Sequence, residues 1–228
     1  ERDIVTFDMP GIGGSPAPVL PYRPWMIGKA AAAILDRFGF GEVDVMGVSW
    51  GGGAAQQFAL QYRKRVKRLV LCATSTGMTM IPGNFEALTK MATPRRYLDK
   101  DYLIKNFERL YGDEGDFIKR NPLKFKPPGQ RGYLFQMLAM VGWTSLPFIP
   151  FLNVPTLVMA GDNDKIVPLI NSRLIAKVMP NARLHVVHGG GHLFIVTRIA
   201  EILPVMKGFL DGPPPPPRSI HATRAVAI

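Results

Sequence analysis

The chain has 228 residues, enough for one large domain with a sizeable core, and 47% of them are hydrophobic. No apolar run reaches the roughly 18 residues that span a bilayer, which excludes a transmembrane helix; the single cysteine, Cys72, excludes an internal disulfide and fits a reducing cytoplasm. The net charge of +11 comes from basic residues spread along the chain. Its clusters, Arg63-Lys64-Arg65, Lys67-Arg68 and Arg95-Arg96, are not interleaved with aromatics, so a solvated basic surface is expected rather than a nucleic-acid module.

Residues 3–7, Asp-Ile-Val-Thr-Phe, have the composition of a short strand, and residues 8–15 that of the loop leaving it. The spacing of Gly11, Gly13 and Gly14 departs from G-x-G-x-x-G and no Lys-Ser/Thr pair follows, so this loop is not read as a phosphate cradle. Residues 25–38, rich in alanine and stopped by Gly39, read as a helix. The apolar run 43–48 reads as a buried strand that ends in Gly47-Val48-Ser49-Trp50-Gly51, a G-x-S-x-G pattern, and residues 54–60 have helix composition. Strand, sharp turn carrying Ser49, helix: this is the layout of a nucleophile elbow, in which a strained turn projects the serine hydroxyl from the top of a sheet. Gly47 and Gly51 are expected where side chains would collide as strand and helix fold back on each other. Residues 66–73 form the next predicted strand, and the alternation implies right-handed crossovers and a parallel sheet.

From 74 to 153 the pattern changes to helix-like pieces, 85–91, 102–111 and 133–143, separated by Pro and Gly with no clear strand. An insertion of this size reads as a helical cap over the C-terminal edge of the sheet, where open parallel sheets place their ligands. The piece 133–143 is apolar almost all round, which predicts burial between cap and core and one wall of an acyl-binding cleft. Alternation then resumes, with strand 155–160, helix 169–179, strand 183–187 and a helical tract 194–210 that Pro204 is expected to kink or split. Pro213 to Pro217 favour polyproline II geometry, and the aperiodic residues after them complete a flexible tail with no catalytic part. The expected division is core residues 1–73, cap 74–153, core 154–211 and tail 212–228.

A serine hydroxyl is a poor nucleophile at neutral pH and needs a base, which in turn needs a partner to fix its tautomer. Two loops after later strands offer these. One is Gly161-Asp162-Asn163-Asp164-Lys165 and the other His188-Gly189-Gly190-Gly191-His192. Asp162 and Asp164 are the candidate acids; His192 and His188 are the candidate bases, with His185 on a strand and His221 in the tail set aside. The chain order Ser, Asp, His is that of the α/β-hydrolase fold.

The elbow at 47–52, the segment 160–168 and Gly191-His192-Leu193-Phe194 together resemble the α/β-hydrolase superfamily. Residues 8–15, 47–57, Gly142-Trp143-Thr144-Ser145 and Ser172-Arg173-Leu174 narrow the resemblance to intracellular poly(3-hydroxyalkanoate) depolymerases of medium-chain-length polyester, over most of residues 3–210. The resemblance implies a mostly parallel sheet with helices on both faces and a helical cap. It also implies Ser49 as nucleophile, Asp164 as acid, His192 as base, the backbone N–H of Trp50 as one oxyanion donor, and no cofactor or metal. Polyester synthases of similar fold carry cysteine at the elbow and haloalkane dehalogenases a carboxylate, so Ser49 favours ester hydrolysis. The implied substrate is polyester or a medium-chain acyl ester and the implied location the cytoplasm, with a polyester granule surface as a partner. The resemblance aligns 3–7 with the fold's fourth strand, so the sheet is expected to lack its first strands and the loop that normally supplies a second oxyanion donor. A general carboxylesterase or lipase for medium-chain esters, or a non-catalytic module binding through its cap, are the alternatives.

Overall fold

The computed structural model describes residues 2–92, 99–112 and 129–213. Its centre is a four-stranded parallel sheet in the order β1 (Val43–Val48), β2 (Val66–Cys72), β3 (Thr156–Gly161), β4 (Ala182–Val187). β2 from Leu69 onward and β3 after Thr156 read as unbroken apolar runs because both of their faces are covered there. Leu69 and Leu71 of β2 and Val158 of β3 point to one face. There they meet Ala32 and Leu35 of α1 (Pro24–Arg37), Phe58 and Ala59 of α2 (Trp50–Gln61), and Ile175 of α6 (Leu169–Val178). The intervening residues Val70, Cys72, Leu157 and Met159 face the other way, onto Phe194 of α7 (Phe194–Thr197) and Ile202 and Phe209 of α8 (Ile199–Asp211). The period-two alternation of the strands thus builds two cores, one on each side of the sheet.

Between β2 and β3 the described helices are α3 (Phe85–Ala92), α4 (Lys100–Tyr111) and α5 (Gln130–Ala139). α4 begins at an Asp99 cap whose side chain accepts the Tyr102 N–H, and it ends at Gly112 in the left-handed conformation, φ 75°. The inserted segment is tied to α2 by polar bonds. Ser145 Oγ donates to Gln56 Oε1 at 2.6 Å, Gln56 Nε2 donates to the Ser75 carbonyl at 2.9 Å, and Trp143 Nε1 donates to Gln57 Oε1 at 2.6 Å.

Three expectations need correction. Residues 3–7 form no strand: none of the described strands pairs with them, and strand propensity without a paired neighbour builds no ladder. An apolar cavity of about 340 Å3, lined by Val5, Phe7, Ile27, Leu35, Val45 and Phe58, separates this segment from the edge strand β1. The segment is held instead by Arg2, which pairs with Asp44 at 2.9 Å and Asp211 at 2.6 Å. The C-terminal helical tract does break, but at Arg198 (φ −122°, ψ 30°); α8 runs through Pro204, whose missing N–H leaves the Ala200 carbonyl without its helical donor. The piece predicted over 133–143 is helical over Gln130–Ala139, and it stops before Gly142, φ 74°. The tail beyond Pro213, with His221, and the cluster Arg95-Arg96 lie outside the described residues.

Cys72 closes β2 with no solvent exposure, and burial pushes its thiol up to about 12. A thiol reagent requires the thiolate. Native protein at pH 8 is therefore expected to leave Cys72 unmodified by dithionitrobenzoate, with one thiol titrating once the protein is unfolded in urea. Rapid reaction of the native protein would contradict this burial.

Candidate active site

β1 delivers Ser49 to the C-terminal edge of the sheet in a conformation a non-glycine residue seldom adopts, φ 52°, ψ −119°. Residues at such angles cost of order 1–3 kcal/mol and persist only where the surroundings over-determine them. Here they do. Ser49 N–H donates to the Cys72 carbonyl at 2.8 Å, while its own carbonyl accepts from Gly52 N–H at 2.9 Å and from Thr74 Oγ1 at 2.7 Å. The turn also needs α2 pressed against the end of β1. A Cβ on Gly47 would overlap the Gly51 carbonyl and come within 2.7 Å of Ala55 Cβ.

Gly51 itself has nothing within 4 Å of where a Cβ would stand, so the expected collision there is absent. The next two glycines carry that constraint. A Cβ at Gly52 would meet Thr74, 2.6 Å from its Cγ2, and one at Gly53 would meet Met140 Cε at 2.6 Å and the Trp143 ring at 3.2 Å. The close packing around the elbow therefore involves the inserted segment as well as the sheet.

The two predicted loops converge on Ser49. His192 Nε2 lies 2.9 Å from Ser49 Oγ, and His192 Nδ1 lies 2.8 Å from Asp164 Oδ2. Asp164 is 6% exposed and His192 4%. The remaining Asp164 oxygen, Oδ1, accepts the N–H groups of Ile166 at 2.8 Å and Val167 at 2.9 Å, so this buried carboxylate is satisfied on both oxygens. Trp50 is the first residue of α2, and its N–H is among the four at a helix start that have no intrahelical acceptor. Its indole N–H donates to the Gln136 carbonyl of α5 at 3.1 Å, which places α5 directly over the elbow. Tyr22, with Ile27, Ala54, Phe135 and Ala139, packs beside Trp50. Burial raises the Tyr22 hydroxyl to about 12.

The rival residues lie elsewhere. Asp162 pairs with the exposed His188 at 3.0 Å and accepts the Gly189 N–H at 2.7 Å, fastening the two loops together at the rim; these contacts hold its carboxyl below the usual range. His185 sits in β4 opposite Met159, away from Ser49. Sequence inspection overlooks Thr74, which supports the Ser49 carbonyl, and Asn163, whose side chain donates to the Gly112 carbonyl at 2.6 Å. Thr74 is the second residue past β2, a position that identifies it only once the β1–β2 register is known. Among the described residues no group of three or more His, Cys, Asp or Glu could hold a metal ion, and no helix is long and apolar enough to cross a membrane.

A hydroxyl, an imidazole and a buried carboxylate linked in this order can activate the oxygen for attack on a carbonyl carbon and shuttle its proton. Comparisons with known proteins agree with hydrolytic chemistry. The family model for the alpha/beta hydrolase fold matches residues 1–198. A poly(3-hydroxyalkanoate) depolymerase from Ectopseudomonas oleovorans is 42% identical over 215 residues, covering 92% of this chain and 76% of the relative. A 2-hydroxymuconate semialdehyde hydrolase from Pseudomonas putida is 30% identical over 227 residues, covering 92% of this chain and 77% of the relative. Among solved structures, an alpha/beta fold family hydrolase from Bacillus anthracis superposes with a TM-score of 0.77 at 17% identity, over 89% of this chain and 80% of that one. The enol-lactonase from Burkholderia xenovorans does so with a TM-score of 0.73 at 22% identity, over 90% and 79%.

The two motif glycines are expected to respond differently to a methyl group. Gly47→Ala should destabilise the protein by about 2–3 kcal/mol through overpacking. Gly51→Ala, at an open helical position, should be neutral or stabilise by up to about 1 kcal/mol. Urea denaturation midpoints of the two variants check this, and equal losses would contradict the packing described.

Proposed function

The chain belongs to the α/β-hydrolase family, and on that premise we propose that it is a serine hydrolase of ester bonds whose substrate is a medium-chain poly(3-hydroxyalkanoate) or its oligomers. The observation that carries the chemistry is the hydrogen-bonded line from Ser49 Oγ through His192 to Asp164, with separations of 2.9 and 2.8 Å. In this reading Ser49 Oγ attacks the ester carbonyl carbon as His192 Nε2 takes its proton. The Trp50 N–H donates to the developing oxyanion. Collapse of the tetrahedral intermediate breaks the carbon–oxygen bond to the leaving alcohol, which receives the proton from His192. Water then attacks the acyl-enzyme with the same histidine as base, releasing the acid and restoring Ser49. Asp164 orients the imidazole and stabilises its cation.

The polyester assignment is supported by the 42% identical depolymerase. It is supported also by the apolar character of the helix over the elbow. α5 turns Phe135 toward Trp50 on its inner side. Leu134, Met137 and Leu138, together with Val141 just beyond its end, remain 40–54% exposed. Such a surface suits contact with a greasy, water-insoluble polymer, and a cytoplasmic granule of that polymer is the partner this reading names.

A fluorophosphonate probe should label the unmutated protein on Ser49 and fail to label Ser49→Ala. Ester hydrolysis should fall by roughly 10⁴-fold or more in Ser49→Ala and His192→Ala. Absence of any Ser49 adduct would remove the proposed nucleophile. Release of 3-hydroxyacids from medium-chain polyester, compared with hydrolysis of short p-nitrophenyl esters, checks the substrate. Turnover of p-nitrophenyl esters alone would favour a general carboxylesterase, and polymer binding by Ser49→Ala without turnover by the unmutated protein would favour a binding module.

A further inference from the structure

The end of α4 touches both loops that hold the imidazole and the carboxylate. The last carbonyls of a helix have no intrahelical donors and must find others. Here the loops supply them. His192 N–H donates to the Tyr111 carbonyl at 2.6 Å, and Asn163 Nδ2, one residue before Asp164, donates to the Gly112 carbonyl at 2.6 Å. The Tyr111 ring lies over the His192 imidazole, 18° from parallel and 6.5 Å between centroids. Behind it, Phe107 and Leu110 are fully buried, and Leu193, the residue after His192, packs on them.

The fit at this junction is close. Gly112 takes a φ of 75°, and a Cβ there would overlap the Asn163 carbonyl oxygen and lie 3.1 Å from its carbon. The two loops are joined to each other as well, through Asn163 N–H to the Gly190 carbonyl at 2.9 Å. Helix end, acid loop and base loop therefore form one three-way contact.

We propose that the C-terminal end of α4 is a positioning latch, which sets the separations within the Ser49–His192–Asp164 line and so couples the docking of the inserted segment to the assembly of the site. Asn163 and Gly112 act through His192 and Asp164 and are positioning residues. Displacing α4 withdraws the acceptor of the His192 amide and the support of the acid loop together. The reaction geometry is then complete only while this part of the insertion is seated. The latch concerns the same site as the serine-hydrolase reading and takes its catalytic consequence from it, whereas its structural consequence stands alone.

The test uses the full chain with Asn163→Ala, the isosteric Asn163→Asp, and Gly112→Ala. Loss of the contact should slow fluorophosphonate labelling of Ser49, and kcat on a short soluble p-nitrophenyl ester, by about 10- to 100-fold. KM should stay within about twofold, since a positioning loss falls on the transition state. Asn163→Ala and Gly112→Ala break one shared contact, so the double variant should be no slower than the slower single variant. Amide exchange at His192 should accelerate by about tenfold or more while the amides of β3 and β4 keep their protection. Unchanged labelling in folded Asn163→Asp, losses that multiply in the double variant, or an unaltered His192 exchange rate would each overturn the latch. A failure of the unmutated protein to label would instead sink the serine-hydrolase reading, and the His192 exchange rate would still decide whether the latch exists.

Discussion

The approach of α2 to the end of β1 is the constraint on which the rest depends. A strand that ends in the sheet's plane and a helix that starts at its edge can meet in one residue only if that residue takes an unusual backbone conformation, and Ser49 does, at φ 52°. Keeping it there requires a missing Cβ at Gly47, where the strand faces the Gly51 carbonyl, and donors for the Ser49 carbonyl, which come from Gly52 and Thr74. Each of these supports depends in turn on the sheet. Thr74 is positioned by β2, whose last residue, Cys72, accepts the Ser49 N–H and stands opposite Val48 in the parallel register. The buried alternation of β2 and β3 therefore fixes the elbow as well as stabilising the domain.

The inserted segment is bound to this framework by polar as well as apolar contacts. Gln56 is completely buried on α2, and an amide so placed is costly unless its hydrogen-bonding groups are used. Ser75, Gly52 and Ser145 use them. Ser145 has no exposure either, so the pair specifies how the returning chain sits on α2. Trp143 adds a bond to Gln57 and fills the space left by Gly53 and Gly77. The elbow helix is thus held from the sheet side by small residues and from the insertion side by a large aromatic.

Much of this was legible in the sequence, for reasons that differ by residue. β2 and β3 were visible because strands buried on both faces are apolar runs of limited length, and the edge strands β1 and β4 because they stay short and rich in valine although Met46 and Arg183 are exposed. Ser49 was visible because it stands in a G-x-S-x-G pattern whose Gly47 the turn requires, and Asp164 and His192 because strand–loop–helix alternation puts their loops at one edge of the sheet. Residues 3–7 misled because strand composition describes a residue's fitness for a ladder and is silent on whether a neighbouring strand exists. Gly51 misled for a related reason: a motif marks a glycine but not which atoms approach it, and here they crowd Gly47, Gly52 and Gly53 instead. The link from Gly112 to Asn163 could not be read at all, since it joins residues 51 positions apart through a side chain-to-backbone bond that leaves no periodic trace.

Burial also explains why two aspartates two residues apart have separate fates. Asp162 lies at the rim, paired with an exposed histidine, and water can satisfy whatever its neighbours do not. Asp164 has no exposed side-chain surface, so every lone pair it uses must meet a protein donor. Ile166 and Val167 supply two N–H groups to one oxygen, and the other oxygen faces His192 Nδ1. An ionised carboxylate only accepts, so the neutral ring must carry its proton on Nδ1, and Nε2 is left with a lone pair toward Ser49 Oγ–H. The loop's need to satisfy one buried carboxylate therefore selects the tautomer that can receive a proton from the serine. The orientation of the imidazole follows from the solvation of the carboxylate.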